Sequence, residues 1–147
     1  MKKLPIKICA FLVVIVLSFQ TQAFTLKGIS NCDSGAYSYN FNNSINPNIQ
    51  IAFTSFALSP DVTFKEVSST SNADIIFDDN ASNPDMKVCK SNKGKNIKIY
   101  KLGGEIALMP DYYVSISSIS PNYTIYHNSS VFSIEEVIAL IIATWAD

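Results

Sequence analysis

The sequence predicts an α+β fold, a mixed twisted β-sheet with one N-terminal helix packed on it and a buried C-terminal helix. Three observations predict it: short apolar-alternating runs recur from Tyr37 to Tyr126, Asn46-Pro47 precedes an apolar stripe at helical spacing, and a capping box opens a wholly apolar C-terminal run.

Taken in order, Ala36 to Phe41 places Tyr37, Tyr39 and Phe41 on one face and reads as a strand closed by Asn42-Asn43-Ser44. Asn46-Pro47 supplies an N-cap and an N1 proline for a helix whose stripe is Ile49, Ala52, Phe53, Phe56 and Ala57, stopped by Ser59-Pro60. Alternation at Ile49, Ile51 and Phe53 is the competing strand pattern, and Ser55 breaks it. Val62 to Val67 and Ala73 to Phe77 come next as neighbouring strands across a Ser-rich turn. Met86 to Lys90 and Asn96 to Leu102 flank Asn92-Lys93-Gly94, which reads as a hairpin turn, and Glu105 to Met109 adds an extended piece. Tyr123 to Tyr126 is a further strand. At Ser133-Ile134-Glu135-Glu136 the serine caps a helix with Glu136 at N3, and Phe132 is placed to staple onto Val137. From Val137 to Ala143 that helix is apolar on every face, so it is central or covered by a partner. No internal repeat is read.

The chain opens with Lys2, Lys3 and Lys7, then Ile8 to Leu17 without a charge or polar side chain, then Thr21 and Ala23 at the small positions of a signal-peptidase site. The expected cut lies between Ala23 and Phe24. A spanning helix needs about 20 apolar residues, twice this run, so a cleaved signal (1–23) is expected rather than an anchor. The remainder (24–147) is expected to be one domain of a secreted or periplasmic protein, with no membrane association after signal removal. It carries eight lysines, twelve acidic residues and no arginine, a formal charge of −4. Nucleic acid is therefore not an expected partner. Cys32 and Cys89 are the only cysteines after residue 23, and an oxidising compartment pairs them; such a bridge stabilises by roughly 4 kcal/mol.

Asp74, Asp78, Asp79 and Asp85 crowd one strand and its flanking loops, and hard oxygen ligands of this kind suit Ca²⁺. Their spacing matches no EF-hand, and solvated turn residues are the competing reading. Lys87, Lys90, Lys93, Lys95, Lys98 and Lys101 read as edge protection on a hairpin. His127 is the only histidine, which excludes a zinc site of several imidazoles and an H-E-x-x-H helix. It reads as an exposed loop residue. No G-x-S-x-G elbow singles out a nucleophile, so no catalytic residue is assigned.

Val62-Thr63-Phe64-Lys65-Glu66-Val67 and Ala73-Asp74-Ile75-Ile76-Phe77, preceded by a tyrosine-rich strand and a segment with Ala52-Phe53 and Phe56-Ala57, resemble the N-terminal half of matrixin-type metzincin proteases. The resemblance covers about a third of the exported chain and implies a metzincin-like N-terminal part with a helix at Ala52-Phe53. The family's zinc helix has its counterpart in Ser133 to Trp145, which contains no histidine, so no zinc ligand carries over. The resulting expectation is a secreted, non-catalytic, truncated or degenerate protease-like domain that binds another secreted or surface protein, with no cofactor besides a candidate calcium ion. An active secreted metalloendopeptidase or a fragment of one, and a small disulfide-closed inhibitor or toxin-like module, are the rivals.

Overall fold

A computed structural model of the protein describes residues 22–41, 46–54, 59–101 and 109–147. Among these residues there are nine strands: β1 Phe24–Ile29, β2 Tyr37–Asn40, β3 Ile49–Phe53, β4 Val62–Val67, β5 Ile75–Asp78, β6 Met86–Lys90, β7 Lys95–Tyr100, β8 Tyr112–Ile116 and β9 Tyr123–Asn128. One α-helix comes after them, α1, Ile134–Trp145. Residues 1–21 of the expected signal (1–23), Phe56-Ala57 and all but Met109 of the extended piece at Glu105 lie outside the described residues.

The strands close into a barrel in the order β1-β5-β9-β4-β8-β3-β7-β2-β6, and every ladder is parallel. The chain circles twice. Strands β1 to β5 take alternate places on the first lap, and β6 to β9 fill the gaps between them on the second. Parallel neighbours ordinarily need a crossover of a dozen or more residues to return the chain to the starting edge. Here only 91–94 separate β6 from β7.

The registers explain how. Tyr39 of β2 pairs with Lys90, the last residue of β6, on one side and with Lys95, the first of β7, on the other. Leu26 likewise lies between Phe77 near the end of β5 and Met86 at the start of β6, and Phe64 between Ile116 and Tyr123. Val114 joins Phe53 to Val62 in the same way. Each strand thus ends level with the start of the next, one strand away, and the connection is a sideways step of about 10 Å. Stepping across all nine ladders returns to β1 about 16 residues further along, a shear that tilts the strands about 50° and gives a radius of about 11 Å.

These bridging side chains point inward. Leu26, Tyr39, Ile51, Phe64, Val88, Ile97, Val114 and Ile125, each the third residue of its strand, are at most 4 % exposed. Inside them lies α1, whose residues Val137 to Ala143 are all buried. A helix covered on every face by a single closed sheet occupies its lumen, and a bore of this radius matches one helix of about 10–12 Å diameter.

A repeated clasp aligns the strand starts. Asn48, Asp61, Asp74, Asp85, Asp111 and Asn122 stand immediately before β3, β4, β5, β6, β8 and β9. Each donates its backbone N–H to the carbonyl of one residue on an adjacent strand. Its side-chain oxygen accepts that same residue's N–H at 2.7–2.9 Å: Asn96, Tyr113, Thr124, Thr25, Gln50 and Thr63 respectively. Prolines 47, 60, 84, 110 and 121 precede five of the six, giving a repeated Pro-Asx-apolar-x-apolar unit. At β7 the same position is Gly94, where an added Cβ would come within 2.4–2.5 Å of the Ser38 and Tyr39 backbone.

Several expectations are corrected. The mixed sheet with an N-terminal helix is replaced by an all-parallel barrel, and Ile49–Phe53, expected as a helix there and by the matrixin resemblance, is strand β3. Its backbone pairs on both sides with β7 and β8, and Asn46-Pro47 leads into the clasp at Asn48 rather than capping a helix. Strands β4 and β5 are not neighbours, since β9 lies between them. Asn92-Lys93-Gly94 turns no hairpin, because β6 and β7 are parallel and separated by β2. The chain does contain a repeat. The helix signalled by the Ser133 capping box is present, with both of its reciprocal bonds.

The Gly94 contact is with backbone, which cannot swing aside, so Gly94→Ala should destabilise by about 2 kcal/mol or more. Since the clasp uses one side-chain oxygen, Asp74→Asn should lie within about 0.5 kcal/mol of wild type and Asp74→Ala should cost about 1–2 kcal/mol. Urea unfolding of the three variants measures both.

Candidate functional site: an aromatic cleft at the barrel mouth

The helix enters the barrel beyond the end of β9 and leaves near the strand starts, and each end is fastened. Ser133 Oγ accepts from Glu136 N–H at 3.3 Å, while Glu136 Oε2 accepts from Ser133 N–H at 2.9 Å and from Lys90 Nζ at 2.7 Å. Lys90 also lies 5.0 Å from the Phe132 ring centroid. At the other end Lys95 Nζ donates to the Ala143 carbonyl at 3.0 Å and pairs with the Asp147 carboxylate. The helix has acids in its first turn and no base in its last, so Lys95 supplies from β7 the positive charge that its C-terminus favours. Two of the lysines expected as hairpin edge protection are thus helix fasteners, and a closed barrel has no hairpin edge to protect.

Next to Lys95, Tyr39 Oη lies 3.0 Å from Thr144 Oγ1, which donates to the Leu140 carbonyl at 2.8 Å. Burial holds the Tyr39 phenol above its ordinary pKa of 10.0; the Thr144 contact offsets part of this, and the charges of Asp147 and Tyr37 add to it.

The last helical residue, Trp145, shapes the surface at this mouth. Trp145 stacks on buried Phe64 (centroids 6.2 Å apart, planes at 15°) and meets Tyr123 at 5.0 Å and 47°. The indole is nevertheless 50 % exposed. Trp145 and Tyr123, with Tyr112, Val62, Ile142, Asp61 and Asn122, line a cleft of about 380 Å³, within the range of small-ligand pockets. The starts of β4, β8 and β9 set its wall, and the clasps of Asp61 and Asn122 fix two of its polar groups. A second hollow of about 480 Å³ is lined by Tyr39, Phe41, Lys90, Asn92 and Glu136. Its two charges already neutralise each other.

The acidic residues read as a candidate Ca²⁺ site are dispersed. Asp74 clasps Thr124 ahead of β5 and Asp85 clasps Thr25 ahead of β6. Asp78 ends β5 and accepts from Asn80 N–H and Asn128 Nδ2, while Asp79 accepts from Ser129 Oγ and Ser130 N–H at 2.8 Å. Among the described residues no three His, Cys, Asp or Glu side chains converge in a metal-holding group. His127 is on β9 rather than in an exposed loop, with Nε2 2.8 Å from the Phe132 carbonyl. Cys32 and Cys89 form a disulfide with Cα atoms 5.3 Å apart, tying the β1–β2 connection to β6. Ala23 and Phe24 fall at the threshold of β1. Sequence reasoning misses the aromatic cleft; the signal for it is the pair of tyrosines each directly after a Pro-Asx step, Tyr112 and Tyr123.

Among the described residues no helix is long and apolar enough to cross a membrane. Comparison with protein-family models, with curated proteins and with solved structures finds no match.

Because folding favours the neutral Tyr39 phenol, its contribution is complete below pH 10.0 and is lost as pH rises through the higher folded-state value. Ultraviolet difference titration should therefore show a tyrosine phase above pH 10.0 that vanishes in Tyr39→Phe.

Proposed function

We propose that this chain is an exported, non-catalytic binding domain whose working surface is the Trp145 cleft. The observation that carries it is the half-exposed indole, held against Phe64 and Tyr123 over a cleft of ligand size. A large aromatic kept half in water at a structured mouth is the kind of anchor that binding surfaces use. The lumen itself is filled by α1, which directs binding to the outside. Export is supported by the charged and apolar leader, by the small residues at Thr21 and Ala23, and by the disulfide. The expected cut before Phe24 leaves β1 whole.

Trp145 is the only tryptophan, so intrinsic fluorescence reports on the cleft directly. Screening the exported form against small organic compounds should yield ligands that shift this emission and raise the melting temperature. Trp145→Ala should fold and lose that stabilisation by those ligands. Ligands that stabilise wild type and Trp145→Ala equally would place binding elsewhere, and chelator-sensitive peptide cleavage with one zinc per chain would replace this reading by the metalloendopeptidase one.

A further inference from the structure

The chemistry of the cleft narrows its ligand, provided that the cleft is the binding site proposed for this domain. Three π systems line it, from Tyr112, Tyr123 and Trp145, and among the described residues Asp61 is the only charged one in its lining. One Asp61 oxygen, Oδ2, accepts the Tyr113 N–H at 2.7 Å. Its other oxygen, Oδ1, is not used by that clasp. Among the described residues no lysine lines the cleft, so an anionic ligand would meet a carboxylate without a counter-charge there. A flat neutral heteroaromatic is best held between parallel faces, whereas Tyr123 and Trp145 meet at 47° and form a corner. A corner of aromatic faces beside a carboxylate suits a compact positive charge, attracted to the ring quadrupoles and to the anion together.

We infer that the Trp145 cleft binds an organic ammonium head group of the trimethylammonium type, with Asp61 as its counter-ion. The charge of −4 on the chain beyond residue 23 favours approach of such a cation. The repeated clasp also supplies a clean way to remove the charge. Asparagine fills the same structural role at Asn48 and Asn122 that aspartate fills at Asp61, so Asp61→Asn keeps an oxygen for the Tyr113 N–H and loses only the anion.

The experiment is a fluorescence titration of the disulfide-bonded exported form with choline, with its uncharged carbon isostere 3,3-dimethylbutan-1-ol, and with a peptide carrying trimethyllysine. An ammonium ligand should bind at least about 10-fold more tightly than the isostere, the size expected of a desolvated cation over aromatic faces. Asp61→Asn should weaken the ammonium about 10-fold, leave the isostere unchanged, and unfold at the wild-type urea midpoint. Preference for the peptide over choline would assign the head group to a protein partner, and the reverse to a free or lipid-borne ammonium. Equal affinity for choline and the isostere, or an Asp61→Asn variant that binds choline as wild type does, overturns the inference. Screening ligands that bind at Trp145 while no ammonium does would sink this inference and leave the binding-domain reading standing; no ligand of any kind at Trp145 would end both.

Discussion

The whole architecture depends on one constraint: each strand must finish level with the beginning of the next, across a single intervening strand. Parallel pairing with short connections is otherwise impossible, because the chain would have to travel back along the full strand length. The shear of the barrel satisfies the constraint, and the shear is in turn fixed by side chains. A buried residue in the third position of each strand allows only one register, since a shift of one residue would turn it to solvent. Burial of each such Leu, Ile, Val or Phe stabilises by about 1.5–3 kcal/mol, so the penalty for a slipped ladder is large. The Asx clasps then align the strand starts at the same joints from the outside.

Much of this is legible in the sequence as pieces and little of it as a plan. The C-terminal helix, its cap and its burial come directly from Ser133, Glu136 and the run from Val137 to Ala143. Strands such as Val62–Val67 and Met86–Lys90 come from their alternation. Pairing direction does not, because alternating strands with one wet face are the usual mark of antiparallel sheets, and parallel sheets are usually covered on both faces. Here the helix covers the inner face and water the outer, so parallel strands carry an antiparallel-looking pattern. The segment from Ile49 reads as a helix because Asn46-Pro47 fits a helix start as well as Pro47-Asn48 fits a strand clasp, and local propensity cannot distinguish them. The repeat escapes notice because its unit is five residues long, its spacing is uneven, and the β7 copy substitutes Gly94.

The same design explains where a ligand site can be. A barrel of this radius has a lumen, and α1 fills it with its own side chains, fastened by Lys90 at one end and Lys95 at the other. The inner strand faces are therefore committed to packing, and the lumen is closed to a ligand. At the mouth where α1 emerges, the first residues of β8 and β9 and the last residue of the helix are all aromatic. Asp61 has a place in both systems: one oxygen aligns β8, and the residue also lines the cleft. None of the acids suggested by sequence crowding has that double position, because Asp74, Asp78, Asp79 and Asp85 are separated along β5 and its flanks.

The two-lap winding also makes assembly a single late event. Of the nine ladders, only β1·β5 joins two strands of the first lap, and none joins two strands of the second. A nascent chain that has delivered β1 to β5 therefore has almost nothing to pair with, and neither half can be a folding unit. All remaining ladders connect residues about 50 to 60 positions apart, a topology that folds slowly and leaves unpaired strands exposed meanwhile. Under the proposed export this delay would be useful: the chain would stay extensible until β9 has passed, and α1, which follows the strands, would then become the axle on which both laps close.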